Sequence, residues 1–135
     1  MTIKIALCQI NTKIGAFDEN VHKICAFSEK ATALAADIAV FPELAISSYP
    51  PLDLLDRPDF LQANQTALNK LVDSLKTRSP KLVVLGSIMQ NQSLSGRAIH
   101  NAAVIISNGL IVHTQPKRLL PTYDVFDETR YFEPG

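Results

Sequence analysis

Five short apolar runs set the fold: "IKIALCQI" (3–10), "DIAVFP" (37–42), "KLVVLGSIMQ" (81–90), "IHNAAVIIS" (99–107) and "LIVHT" (110–114). Each is short, aliphatic and bounded by loop residues, which is the pattern of a strand. Between the first two, Val21, Ile24, Cys25, Ser28, Ala31, Thr32 and Ala35 recur at helical spacing. Asp18 stands where it can cap that helix, and Glu19 beside it favours the positive end of the helix dipole. From about Asp59 to Thr77, Leu61, Leu68, Leu71, Val72 and Leu75 mark a second amphipathic helix. The predicted order is β-α-β-α-β-β-β.

Strands that alternate with helices pair in parallel, because the crossover needs the helix. Asn108-Gly109 between the last two runs is a hairpin signal and makes that pair antiparallel. The fold class is therefore α/β, a mixed sheet with helices on one face. The first run reads as a buried strand, and Pro42 closes the second because it has no N–H to donate to a central ladder. The sheet's other face is left needing a cover, and an uncovered apolar face calls for a partner. The chain has no internal repeat, low-complexity tract or linker.

Composition removes several classes of function. The 135 residues, 47% hydrophobic, suit one globular domain. Lys plus Arg and Asp plus Glu both count 13, so no basic stripe draws the chain to nucleic acid or an anionic membrane. No apolar run approaches the roughly 20 residues of a membrane span. The N-terminal run is too short for a signal peptide, so a cytoplasmic location is the expectation. Cys8 and Cys25 do not make a disulfide scaffold, and His22, His100 and His113 fall at no ligand spacing, so no metal site is expected.

Two residues stand where α/β sheets place their chemistry. Glu43 directly follows "IAVFP", at the carboxyl end of a strand. Desolvation there would make it a better proton acceptor; the plainer reading is a capping or solvated loop carboxylate. Lys117 lies just past the hairpin, where it could donate to a developing oxyanion or simply hold its ammonium in water. A two-residue turn at Asn108-Gly109 would set His100 opposite Lys117, unless Pro116 breaks the register. A carboxylate and a lysine at neighbouring strand ends suit a thiol or hydroxyl attacking a carbonyl. No nucleophile presents itself. Cys8 and Cys25 read as core, and Ser47 and Ser48 sit in no nucleophile-elbow context.

"ADIAVFPELAISSYPPLDLL" and "PKRLLPTYDVFDETRYFEPG" resemble two segments of the carbon–nitrogen hydrolase (nitrilase) superfamily. "YPPLDLLDRPDFL" and the final twenty residues are similar to one branch of it, the glutaminase domain of glutamine-dependent NAD synthetase. The resemblance runs from Ile3 onward and implies the first part of a nitrilase-type α-β-β-α sandwich, truncated, without the synthetase domain. It implies Glu43 and Lys117 as two members of a Glu-Lys-Cys triad, with Glu43 the general base and Lys117 the oxyanion donor. Tyr123 falls where the branch contacts glutamine, and Glu128 at a second glutamate that supports the lysine. From the residues alone, Tyr123 and Glu128 read as loop packing and a surface pair with Arg130. The family's nucleophilic cysteine lies beyond the lysine segment, outside this chain, so residues 1–135 alone are expected to be inactive.

The activity implied for the complete protein is glutamine hydrolysis supplying ammonia for ATP-dependent amidation of deamido-NAD. ATP and magnesium would belong to the synthetase domain, and a homo-oligomer is expected. A stand-alone nitrilase-type amidase and a truncated, non-catalytic interaction module are the alternatives. Ser47-Ser48 stands where the family usually has Thr-Gly, so the loop after Glu43 is expected to turn differently. Leu52 replaces a usual acidic residue and Asp56 a usual apolar one, neither at the proposed chemistry.

Overall fold

The computed structural model describes residues 2–93 and 95–135. Its elements run β1 (Ile5–Leu7), α1 (Phe17–Ala33), β2 (Ile38–Val40), a 3-10 turn (Leu52–Asp56), α2 (Pro58–Ser74), β3 (Leu82–Gln90), β4 (Ile99–Ser107), β5 (Leu110–Pro116) and a second 3-10 turn (Glu128–Arg130). The strands lie in the sheet in chain order, β1-β2-β3-β4-β5. β1, β2 and β3 are parallel, and β4 and β5 are added antiparallel. Neither helix is long and apolar enough to cross a membrane.

Both helices cover one face. α1 buries Ile24 and Ala31, and α2 buries Ala67, Leu68 and Leu71, against Ala39, Val83, Leu85, Val104 and Ile106 of the sheet. Two amides are buried with the apolar side chains and find partners. Asn20 joins the loops at Lys13 and Ile46, and Asn64 donates to the Ile88 carbonyl at 3.0 Å. A smaller cluster of Leu44, Leu55, Phe60, Ile88, Ile99 and Phe132 closes one end of the sheet.

Several sequence expectations need correction. α1 is capped by Ala16 with no side-chain bond; Asp18 lies inside the first turn and pairs with Lys70 of α2 at 3.1 Å. The apolar stripe stops at Ala31, since Thr32 and Ala35 are exposed. β1 is not buried. It is an edge strand, and the face opposite the helices has no cover there, leaving Leu7 75% exposed and Ile5 53% exposed.

The hairpin turns at Asn108-Gly109 with φ of +49° and +70°, the left-handed pair that a two-residue turn demands. A bulge then interrupts its ladder. Ile106 pairs with Ile111 but Ile105 pairs with His113, so Val112 is the extra residue. Every later pair is shifted by one, and the Lys117 N–H meets the Asn101 carbonyl at 2.8 Å. Asn101 therefore takes the place that uninterrupted pairing gives to His100. The cause is the bulge, not Pro116, whose carbonyl end still lies in the ladder opposite Ala102.

Candidate active site

Glu43 reaches its position because β3 lacks a side chain where the chain must cross it. The Gly86 N–H bonds the Pro42 carbonyl at 3.1 Å, extending the β2–β3 pairing past the end of β2. A Cβ on Gly86 would lie 2.2 Å from the Leu44 nitrogen and 2.8 Å from Glu43 Cα. The missing side chain lets the Glu43-Leu44 peptide rest on the strand. Leu44 then turns left-handed (φ +44°), a conformation rare for a bulky residue and characteristic of over-determined functional loops. Residues Leu44 to Ser47 are fully buried beneath the turn, which anchors it.

Lys117 arrives from the other side of the sheet, at the end of β5. Its Nζ lies 2.9 Å from Glu43 Oε1 and 3.0 Å from Glu128 Oε1. Asn101 Nδ2 donates to the same Glu43 Oε1 at 2.5 Å. The Tyr49 hydroxyl donates to Glu128 Oε1 at 2.9 Å. One ammonium thus joins two carboxylates, and the Oε1 of each receives a second, neutral donor.

The two carboxylates differ in setting. Glu128 is 5% exposed, lodged on its 3-10 turn, whereas the Glu43 side chain is 45% exposed. The desolvated Glu43 expected from its strand-end position is thus not found; hydrogen bonds hold it instead. Desolvation pulls the Lys117 ammonium toward losing its proton, but the bonds to Glu43 and Glu128 outweigh it and raise its pKa. Burial, followed by the bond to Glu128, raises the Tyr49 hydroxyl well above the usual tyrosine range. Lys117 is therefore held as a cation and Tyr49 as a neutral donor. Glu128 is a buried partner of the lysine; Arg130 pairs with Asp53 instead, at 3.4 Å.

Residues 117–135 are held closed by their ends, with the Gly135 N–H on the Lys117 carbonyl at 3.0 Å and the Glu133 N–H on the Ile99 carbonyl at 2.8 Å. Tyr123 stands at the rim, 69% exposed, its ring edge-on to Phe126 at 5.6 Å. It shares the wall of an open groove of about 430 Å³ with Lys117 and Leu119. A second cleft of about 610 Å³ opens over Glu43, Asn101 and Lys117. The site is thus accessible from both sides of Lys117.

Neither cysteine reaches this site. Cys8 lies in the core beneath the helices, and Cys25 is half-buried on α1; burial raises both thiols. His100 turns to the Glu133 carbonyl at 2.7 Å. Among the described residues no three His, Cys, Asp or Glu side chains converge as a metal site. Three residues of the site escaped the sequence reading: Asn101, Tyr49 and Gly86. A lone glycine within "KLVVLGSIMQ" and an amide within "IHNAAVIIS" were the available signals, one for close backbone approach and one for a buried polar partner. Tyr49 carries no comparable local signal.

The carbon-nitrogen hydrolase family model matches residues 4–135. The glutamine-dependent NAD(+) synthetase of Synechocystis sp. is 41% identical over 132 residues, covering 95% of this chain and 23% of that protein. The solved glutamine-dependent NAD+ synthetase of Acinetobacter baumannii superposes with a TM-score of 0.84 at 33% identity, covering 98% of this chain and 24% of that one. An amidase from Nesterenkonia sp. shares the fold, with a TM-score of 0.80 at 20% identity over 98% of this chain and 48% of its own. The chain spans about a quarter of the length of the NAD synthetases it matches. With this match over nearly its whole length, the chain belongs to the carbon–nitrogen hydrolase family.

Proposed function

We propose that residues 1–135 supply the base and the oxyanion donor of a glutamine amidase, as the amino-terminal part of a glutamine-dependent NAD synthetase. The observation that carries this reading is the Lys117 ammonium set 2.9 Å from Glu43 and 3.0 Å from Glu128. The kinship with NAD synthetases supports the choice of glutamine as substrate.

Glu43 takes the proton of a cysteine thiol contributed from beyond Gly135, and the thiolate attacks the carboxamide carbon of glutamine. The carbonyl electron pair moves onto oxygen, where Lys117 meets the negative charge. Two of its three N–H bonds go to Glu43 and Glu128, which leaves the third as the donor for the oxyanion. The C–N bond then breaks, Glu43 returns its proton to the departing ammonia, and water hydrolyses the thioester. Glu128 and Tyr49 hold the lysine in place, and Tyr123 at the groove rim contacts the glutamine. The ammonia serves ATP-dependent amidation of deamido-NAD in a separate domain of a homo-oligomeric, cytoplasmic protein, and that domain carries the ATP and magnesium. The uncovered sheet face, with Ile5 and Leu7, packs against the rest of the amidase domain, and residues 1–135 alone turn over no glutamine.

The test is a pair of assays on the intact protein. Glu43→Gln keeps the shape of the side chain but removes the base, and glutamine-driven synthesis falls by at least ~100-fold. Lys117→Met costs a comparable factor, about 10²–10³, by leaving the oxyanion without its cation. Both variants keep synthesis from free ammonia. Normal glutamine-driven turnover by Glu43→Gln refutes the assignment, and loss of the ammonia-driven reaction as well makes these residues structural. Glutamine hydrolysis with no synthesis of NAD from either nitrogen source favours a stand-alone amidase.

A further inference from the structure

Glu43 has two carboxylate oxygens, and the structure treats them differently. Oε1 receives both Asn101 Nδ2, at 2.5 Å, and Lys117 Nζ, at 2.9 Å. Asn101 is 3% exposed, so its amide is committed to this contact rather than shared with water. Only the amide nitrogen can donate to a carboxylate, which fixes which way round the amide sits. The same residue also holds the lysine, because its main-chain carbonyl accepts the Lys117 N–H at 2.8 Å. One side chain and one carbonyl of Asn101 therefore set both charged groups in relation to each other.

We propose that Asn101 is a positioning residue for the reaction, pinning Glu43 Oε1 so that Oε2 is the oxygen that takes and returns the proton. This rests on the reading of Glu43 as the base. With Oε1 occupied by two donors, a proton placed there would have to displace one of them. Oε2 carries neither of these bonds, and the side chain is 45% exposed. A carboxylate held through one oxygen also loses its freedom to rotate about the terminal torsion, which is otherwise broad and twofold. Fixing that angle places the reacting oxygen before the substrate arrives. The β3–β4 register sets Asn101 beside Glu43, and the β4–β5 bulge at Val112 brings Lys117 to the same residue, because without it Lys117 would stand opposite His100.

Two substitutions separate a donor from a filler of space. Asn101→Ala removes the amide, and kcat for glutamine falls about 10- to 100-fold with KM within about twofold. Asn101→Asp keeps the shape but sets a second carboxylate against Glu43, so it is slower than Asn101→Ala. A residue that only filled space would give the opposite order. Ammonia-driven synthesis and the melting temperature report folding; if Asn101→Asp loses these, the kcat-against-KM split of Asn101→Ala decides. Glu43→Gln is run beside them. If it loses turnover while Asn101→Ala keeps kcat, or if Asn101→Asp matches or exceeds Asn101→Ala in a folded protein, the positioning role is wrong and the base stands. If Glu43→Gln keeps turnover, both fall.

Discussion

Two rows of residues cross the same sheet, one on each face. Beneath the helices, Ala39, Val83 and Ile106 are paired across neighbouring strands and all at most 1% exposed. One residue further along, Leu7, Val40, Val84, Ile105 and His113 form the opposite row, which ranges from half-buried to the 75% exposed Leu7. The alternation of side chains along a strand makes the whole difference, since one residue of offset exchanges core for surface. Cys8 and Glu43 illustrate the consequence. Each follows a parallel strand by a residue or a few, yet Cys8 falls under the helices, while Glu43 is carried by its turn to the cleft. The helix-covered face carries the core, and the far end of the open face carries the charged cluster of Glu43, Lys117 and Glu128.

The sharpest way to break this comparison is a matched pair of truncations. Leu68 of α2 is fully buried beneath the sheet, so Leu68→Ala leaves a cavity and costs about 2–5 kcal/mol. Leu7→Ala on the open row removes a side chain already mostly in water and costs within about 0.5 kcal/mol. Urea denaturation of residues 1–135 measures both. Equal losses would mean that the open face is covered in solution by another copy of the chain, and dilution would then restore the difference.

The mixed sheet and both helices were legible because period 2 and period 3.6 are written in the apolar residues themselves. The strand-end positions of Glu43 and Lys117 were legible because strand ends can be located from those same runs. What was not legible depended on a single inserted residue. Nothing in "LIVHT" distinguishes Val112 as a bulge, so His100 rather than Asn101 stood opposite Lys117. The exposure of β1 was hidden for a related reason: "IKIALCQI" is apolar on both faces, and only the sheet's edge and cover decide which side is buried. Glu128 illustrates the remaining limit. Its burial comes from a 3-10 turn held by the Pro121 carbonyl and by Phe132, contacts that no local pattern announces.

A smaller effect tests whether the open face depends on the ladder beneath it. Gly86→Ala places a methyl 2.2 Å from the Leu44 nitrogen, and the neighbour is backbone that cannot swing aside. The Glu43-Leu44 turn must shift. Overpacking costs about 1–3 kcal/mol, and misplacing the base lowers glutamine-driven turnover of the intact protein about 10- to 100-fold. The ammonia-driven rate is unchanged. Glutamine-driven turnover at the native rate would show that Glu43 is not seated by β3.

The smallest effect concerns the same loop at Ser48, where a different turn was expected. The structure keeps a left-handed residue there, with φ of +67°, the conformation that suits the glycine usual in the family. Serine accepts it while its Oγ takes a bond from the Thr12 hydroxyl at 3.0 Å and its N–H bonds the Leu44 carbonyl at 2.7 Å. Ser48→Gly loses the hydroxyl bond but relieves the backbone; Ser48→Ala loses the same bond and relieves nothing. The left-handed region costs a residue with a Cβ about 1–2 kcal/mol, of which glycine's greater freedom in the unfolded chain returns about half. Ser48→Gly is therefore more stable than Ser48→Ala by about 0.5–1 kcal/mol in thermal or urea unfolding. If the two variants unfold together, the turn is not strained, and the burial of Leu44 to Ser47 alone holds the segment that presents Glu43.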